Sequence, residues 1–256
     1  MQDFPYNLPL PPLLLFCLAV AAAFAALIHF GLKMAPGPRL AERSSGIAPV
    51  MQSIVAVFAA LSVTFLSNTV WRAEDLAREA VATEARNLHL VVTYARQMPE
   101  ATGAAILANA AAYAAAVAGP EWVSMVDEGA HPGAEAALRS LYAGAVLLAP
   151  GDTMRGPLLS ALDRLSFARD ARLAQAQDAV SPTQWTVVLV LMLLLLAVVA
   201  ICHGRDARAR AIALAFSAAA IGISLFGILA HDQPFIGHLA ITAKPVLQAA
   251  ASAPPG

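Results

Sequence analysis

Charged side chains are scarce in this chain of 256 residues. Asp, Glu, Lys and Arg together account for 13% of it, and 59% of its residues are hydrophobic. Soluble domains carry about 25% charged residues, so the composition excludes an ordinary soluble protein. The charges are missing in blocks, at 4–32, 44–71, 179–204 and 211–231. Each block exceeds the roughly 20 residues that an apolar helix needs to cross a bilayer. The sequence therefore predicts four spans, at about 10–32, 49–70, 184–202 and 211–230.

A fifth uncharged window, 101–120, has little strongly hydrophobic character. It is mostly alanine and carries Thr102, Asn109 and Tyr113. Membrane insertion is favoured chiefly by Leu, Ile, Phe and Val. We therefore expect a close-packed helix buried in protein rather than a fifth span, ending at Gly119-Pro120.

Glycine and proline are absent from 50–98, with Pro49 placed for a first helical turn and Pro99 marking the end. A helix of this length measures about 75 Å, so the second span is predicted to continue well beyond the membrane. Its distal part has one apolar seam at 4-3-4-3 spacing: Val81, Ala85, Leu88, Val92 and Ala95. Further helices are predicted at about 134–148 and 154–179, the latter with Leu158, Leu162 and Leu165 on one face.

The predicted architecture is all-α and membrane-integral, because no segment alternates convincingly as a strand. It comprises a first transmembrane pair (1–70), an extramembrane helical domain continuous with the second span (71–180), a second transmembrane pair (181–231) and a C-terminal tail (232–256). At the start of the third span, Ser181 and Gln184 have the spacing of a capping box, and Pro182 occupies the first helical position.

The loops between paired spans are rich in Lys and Arg. The loop between the first two spans contains Lys33, Arg39 and Arg43 and one acid, Glu42. The loop between the last two spans contains Arg205, Arg208 and Arg210 and one acid, Asp206. Residues 72–180 instead have a net charge of −4, from nine Arg and thirteen acids. Basic loops favour the cytoplasm. The bias predicts a multi-pass inner-membrane protein whose helical domain and both termini are non-cytoplasmic. The first residues, MQDFPYN, contain no Lys or Arg, which is not typical of a signal peptide.

Several short motifs follow one another along the chain in a distinctive order: EDLAREAVATEA after the second span, ARQMP, Glu121-Trp122, ARDARLAQAQ, SPTQW and finally DQPFIG. Together they resemble the bestrophin-like domain family of bacterial membrane proteins, over about 50–247. The resemblance implies two spans, a helical domain, two more spans and a short tail. It also implies kinship to the bestrophins, which are pentameric anion channels with a pore lined by the second helix. Bestrophins carry their helical domain in the cytoplasm, whereas the charge bias here places it outside.

One stripe of the second span is a candidate pore lining: Phe58, Ser62, Phe65, Thr69 and Arg72, preceded by Met51 and Val55. Two phenylalanines separated by a small hydroxyl residue can form a hydrophobic constriction. The alternative is ordinary packing between helices, which small residues also favour. Polar residues lie on other sides of the same span, among them Gln52, Thr64 and Asn68, which is typical of a helix surrounded by protein.

A second candidate group is a structural polar network of Glu84, Glu121, Arg169, Arg172 and Asp232. Arg169 and Arg172 are one turn apart and can either bind an anion or pair with acids such as Glu84 and Glu121 to clamp the bundle. In the stretch HDQPFIG, Pro234 ends a helix and Asp232 belongs at the membrane interface. A metal site at His231, Asp232 and His238 is the less favoured reading.

No zinc, phosphate-loop or hydrolase motif occurs in the sequence, so we expect neither a cofactor nor enzymatic activity. The acidic helical domain has no basic stripe, which argues against nucleic-acid binding. Two functions remain. The first is a homo-oligomeric ion channel in the lipid bilayer, pentameric by resemblance; the resemblance favours small anions, and the acidic domain leaves cations open. The second is a non-conducting scaffold or accessory subunit that binds a partner through the helical domain.

Overall fold

The computed structural model describes residues 4–34 and 47–251. Within these ranges every regular element is helical. The α-helices are α1 (Leu10–Met34), α2 (Ala48–Arg96), α3 (Glu100–Ala116), α4 (Trp122–Ser124), α5 (Pro132–Val146), α6 (Arg155–Gln177), α7 (Pro182–Cys202), α8 (Ala207–Leu229) and α9 (Lys244–Ala251). A π-helical segment, Val117–Glu121, joins α3 to α4.

The helix boundaries follow from local sequence signals at several points. Helix α2 is unbroken, as its lack of internal Gly and Pro predicts. The capping box at α7 is confirmed: the Ser181 hydroxyl accepts from the Gln184 N–H, and the Gln184 side chain accepts from the Ser181 N–H. Arg208 and Arg210, assigned to a loop from the sequence, instead lie in the first turns of α8. The Asp206 side chain begins that helix by accepting from two of its free N–H groups.

Five of the described helical segments are long and apolar enough to cross a membrane. Four correspond to the predicted spans, and the fifth is Glu100–Ser124, the alanine-rich helix with its continuation. Length and composition therefore do not decide between four and five spans. Arg39, Arg43 and Glu42, used to orient the first pair, lie outside the described residues.

The chain divides into two compact units. The first unit comprises residues 1–72 and 180–239. In it, α1 packs along α8, and α7 packs against both. Its apolar core draws on all four helices, with Leu66 and Val70 supplied by α2. Helices α1 and α8 approach closely at Gly222, where an added Cβ would lie 2.9 Å from the Leu18 Cα and 3.2 Å from the Cys17 carbonyl oxygen.

The second unit comprises residues 73–179 and 240–256. In it, α5 packs against α3 and α6, and α9 packs on α3 and on the π-helical segment. The predicted seam of α2 is buried, with each of Val81, Ala85, Leu88, Val92 and Ala95 less than 9% exposed. The predicted leucine face of α6 is buried as well. Gly103 permits a close approach of α3 to the end of α2, because a Cβ there would lie 2.3 Å from the Ala95 carbonyl oxygen.

The expected helix end at Gly119-Pro120 is wrong. The helical path continues through the π-helical segment to Ser124. A proline lacks the N–H that an α-helix needs at that position and crowds the preceding turn. Widening the turn avoids this conflict: the Trp122 N–H donates to the Val117 carbonyl, five residues back. As a result, Glu121 is carried into the core of the second unit.

The close contact at Gly222 predicts a sharp difference between two glycines of α8. Gly222→Ala should lower the thermal unfolding midpoint of the purified protein, because the new methyl group meets the α1 backbone, at a cost of about 1–3 kcal/mol. Gly227→Ala is the matched control, since nothing lies within 4 Å of its Cβ position. It should leave the midpoint unchanged or raise it slightly. A midpoint for Gly222→Ala equal to that of the control would contradict the close packing.

Candidate functional site

Four buried charged residues meet in the second unit. Glu84 comes from α2, Glu121 from the π-helical segment, and Arg169 and Arg172 from α6. All four are 4% exposed or less. Charged side chains are almost never buried to this degree without partners, so the hydrogen bonds between them decide whether the arrangement is stable.

Arg172 links the two carboxylates. Its Nε donates to Glu84 Oε2 at 2.6 Å, and its NH2 group donates to Glu121 Oε1 at 2.7 Å. The remaining side of the guanidinium meets the Met125 sulfur at 2.9 Å, and its Cζ lies 5.0 Å from the centre of the Trp122 ring. Burial alone would lower the pKa of Arg172, but the two carboxylates raise it above its ordinary value. The guanidinium therefore stays charged.

The other lone pairs of the two carboxylates are also used. The Tyr113 hydroxyl donates to Glu84 Oε1 at 2.6 Å. Arg169 donates to both oxygens of Glu121, and the His131 N–H donates to Glu121 Oε2 at 3.0 Å. Burial alone would lower the pKa of Arg169, whereas its contact with Glu121 raises it. Two positive and two negative charges balance, and both guanidinium groups face carboxylates rather than an open anion site.

Asp232 does not belong to this network. It lies in the first unit, where its Oδ2 accepts from the Tyr6 hydroxyl at 2.7 Å and its Oδ1 accepts from the Val180 N–H at 3.0 Å. Burial and the Asp232 carboxylate both raise the pKa of Tyr6, which therefore keeps its proton. Gly237, with φ of 88°, lies so close to Tyr6 that a Cβ would be 2.6 Å from the Tyr6 carbonyl oxygen. Asp232 thus ties three separate chain segments together.

The candidate pore stripe is largely uncovered in the single chain. Phe58 is 58% exposed and Phe65 is 68% exposed, and Thr69 and Arg72 are also exposed. Ser62 is half-buried. Together with Phe65 and Thr69, it lines a shallow groove whose other wall is the start of α7. The hydroxyl of Thr69 donates to the Phe65 carbonyl of its own helix at 3.0 Å.

The residues 4–34 and 47–251 contain no group of three or more His, Cys, Asp and Glu side chains arranged to hold a metal ion. Sequence reasoning missed the contributions of Tyr113, Tyr6 and Met125 to the polar clusters. Tyr113 carried a signal, since a buried tyrosine hydroxyl needs a hydrogen-bond partner. Tyr6 is 226 positions from Asp232, and no local pattern connects the two.

The linking role of Arg172 predicts a large loss of stability when it is removed. Arg172→Met keeps much of the side-chain volume but leaves Glu84 and Glu121 short of a buried counter-charge, which should cost about 3–5 kcal/mol. The thermal unfolding midpoint should fall accordingly. Arg164→Met, an exposed position on the same helix, is the control and should stay within about 0.5 kcal/mol of the unsubstituted protein. Adding Glu84→Gln to Arg172→Met should recover part of the loss, and no recovery would contradict the charge argument.

Asp232→Ala should impair assembly of the protein, since it leaves the Val180 N–H and the Tyr6 hydroxyl without their acceptor. Each unsatisfied group costs about 1–3 kcal/mol when buried. Size-exclusion chromatography and thermal unfolding should show less folded protein, with Asp127→Ala, at an exposed acid, as the control. Tyr6→Phe should show a smaller effect of the same kind. Normal assembly combined with loss of ion conduction would overturn the structural role.

Comparison with known proteins places these features in a family. The family model of the bestrophin-like domain matches residues 18–246. A crystal structure of a membrane protein superposes with a TM-score of 0.68 at 12% identity, covering 93% of this chain and 99% of that one. A bacterial bestrophin homologue from Klebsiella pneumoniae, crystallised with a mutation, gives a TM-score of 0.66 at 13% identity and covers 93% of this chain and 96% of its own. No curated protein matches the sequence. The chain is a membrane protein that belongs to the bestrophin-like domain family.

Proposed function

We propose that the chain is one subunit of a homo-oligomeric ion channel whose pore is lined by the apolar part of α2. The observation that carries this proposal is the exposure of that helix. Between residues 48 and 72, only Ala48, Ala59, Leu66 and Val70 of α2 are buried in the single chain. A membrane helix with so little contact inside its own subunit has most of its surface available for other copies, for lipid or for water.

Polar side chains on the uncovered surface make lipid a poor neighbour. Asn68 and Thr69 are exposed at adjacent positions of α2. The Thr69 hydroxyl is satisfied by its own helix, but an asparagine amide has two donors and an acceptor that lipid tails cannot satisfy. Other subunits or a water-filled path would satisfy them. Cyclic symmetry supplies both, since it brings the same helix from each subunit around one axis.

In such an assembly, Phe58 and Phe65 form the narrow part of the pore and Ser62 lies between them. Rings of phenylalanine exclude water below a critical width and thereby act as a gate. Thr69 and Arg72 follow toward one end of the pore. The resemblance to bestrophins favours anions and a pentamer, and Arg72 would attract anions at its mouth. The net charge of −4 in residues 72–180 acts in the opposite sense.

The rest of the chain has a supporting role in this proposal. Residues 71–180 form an extramembrane helical domain, and α3 is packed in protein rather than crossing the bilayer as a fifth span. The buried ion pairs of that domain hold its helices together, and we expect no enzymatic activity from them. The Lys and Arg bias supports a location of this domain outside the cytoplasm, in an inner-membrane protein with four spans.

Planar-bilayer recording with the purified protein tests conduction and selectivity together. Phe58→Ala and Phe65→Ala should raise ion flux severalfold, because a smaller side chain widens the constriction and weakens dewetting. Val57→Ala is the control, since Val57 is similarly exposed but lies about 100° around the helix from Phe58. The reversal potential under ion substitution gives the sign of the permeant ion. Unaltered flux in both phenylalanine variants would remove them from the pore.

The oligomeric state in detergent separates the channel from the alternative of a non-conducting scaffold. We expect a closed ring, pentameric if the resemblance extends to stoichiometry, measured by light scattering of the protein–detergent complex. A strictly monomeric protein would contradict a central pore, and recordings without current from a ring would favour the scaffold.

A further inference from the structure

Arg210 is a buried cation of a different kind from those in the helical network. It is 4% exposed, and its NH1 group donates to the Gly204 carbonyl at 3.1 Å. It forms no ion pair with any carboxylate of residues 4–34 or 47–251. Its acceptors within the described residues are a carbonyl and an imidazole ring, so no direct contact with a carboxylate there offsets its positive charge.

His29 and, one turn further on, Lys33 lie at the end of α1 that contacts Arg210, while the nearby acid Asp206 is engaged in capping α8. The Nε of Arg210 donates to His29 Nδ1 at 3.4 Å. Because Nδ1 accepts this hydrogen bond, the proton of a neutral ring lies on Nε2, from which it can be donated to a ligand. Lys33 lies one turn further along α1, with its ammonium group 5.2 Å from the centre of the Phe30 ring. This end of the α1–α8 pair therefore has a buried guanidinium beside an imidazole N–H and an exposed ammonium group.

An apolar groove of about 500 Å³ begins at the same point. It follows the line between α1 and α8 from His29 and Phe30 to Leu18, and its walls are mostly alanine. Because small side chains leave the space between two packed helices unfilled, the groove is open to the outside of the helix pair rather than enclosed. Its size falls in the range of ligand sites, about 300–1,000 Å³.

We propose that this groove binds an anionic phospholipid, with an acyl chain along the alanine-lined walls and the phosphate at His29 and Lys33, next to the buried positive charge of Arg210. Such a lipid has a negatively charged headgroup for the cationic end and an acyl chain for the apolar groove. A soluble anion has only the negative charge. Exposed Arg205 and Arg208 lie beside the same helix end and add to the attraction for a negatively charged membrane surface. The Lys and Arg bias of the sequence predicts the cytoplasmic leaflet for this end. The site does not depend on whether the chain conducts ions.

Thermal unfolding of the purified full chain in detergent tests the site. Added phosphatidylglycerol should raise the unfolding midpoint by several degrees more than phosphatidylcholine with the same acyl chains, because a ligand that binds only the folded state stabilises it. Glycerol phosphate, which has the phosphate without the chains, should give no shift. Equal shifts from the two lipids would overturn the proposal, and a full shift from glycerol phosphate would assign the site to a free phosphate instead.

Two pairs of variants separate the headgroup and chain contacts. Arg210→Gln should abolish the difference between the lipids, whereas Arg139→Gln, which removes an exposed charge from α5, should keep it. Ala22→Leu fills the groove and should also abolish the difference. Ala23→Leu, at the next position of α1, is also exposed but lies outside the groove, and it should keep the difference between the lipids.

Native mass spectrometry supplies a readout that survives a loss of stability in Arg210→Gln. The apparent dissociation constant for phosphatidylglycerol should increase at least tenfold in Arg210→Gln and in Ala22→Leu, and stay unchanged in the two controls. Retention of the lipid by both Arg210→Gln and Ala22→Leu at the original affinity would overturn the site.

Discussion

The contact of Arg172 with Glu84 and Glu121 is the constraint on which the second unit depends. One guanidinium joins a carboxylate from α2 to a carboxylate from the π-helical segment, and it does so from α6. Only arginine has a planar fork of donors that reaches two carboxylates at once. Buried charges are costly individually, but this set is neutral in sum and nearly saturated with hydrogen bonds, which makes each member dependent on the others.

The irregular turn at Val117–Glu121 is the local condition for that contact. Pro120 prevents a regular α-helical turn, and the wider π-helical turn directs both Val117 and Glu121 into the core while Gly119 and Pro120 remain at or near the surface. From there Glu121 accepts from Arg169, Arg172 and the His131 N–H. The His131 side chain in turn caps α5 by accepting from the Gly133 N–H. A backbone irregularity at one proline thus positions the acidic partner of both arginines, which also contacts the residue that caps α5.

The sequence was sufficient for features that depend on local periodicity. The seam of α2, the leucine face of α6 and the capping box of α7 were all predicted, because helical spacing and capping involve residues at most a few turns apart. Pairing was not predictable in the same way. Arg172 and Glu84 are 88 positions apart, and thirteen acids between 72 and 180 were available by composition. The partners of Asp232 and the inclusion of Arg210 in α8 likewise depend on how the helices pack. The charge pattern of the sequence does not contain this information.

The two buried arginines Arg172 and Arg210 differ in the acceptors that they meet within the described residues. Arg172 is enclosed by carboxylates of its own chain, and such a group stabilises a fold without needing anything further. Arg210 has a carbonyl and an imidazole as its described acceptors, and these disperse its charge without cancelling it. In a membrane protein the remaining field extends into a medium of low dielectric constant, where it is weakly screened. In the proposed site, the headgroup of an anionic lipid supplies the opposite charge at the membrane interface. The alanine-lined groove beside it holds the acyl chain of the same lipid.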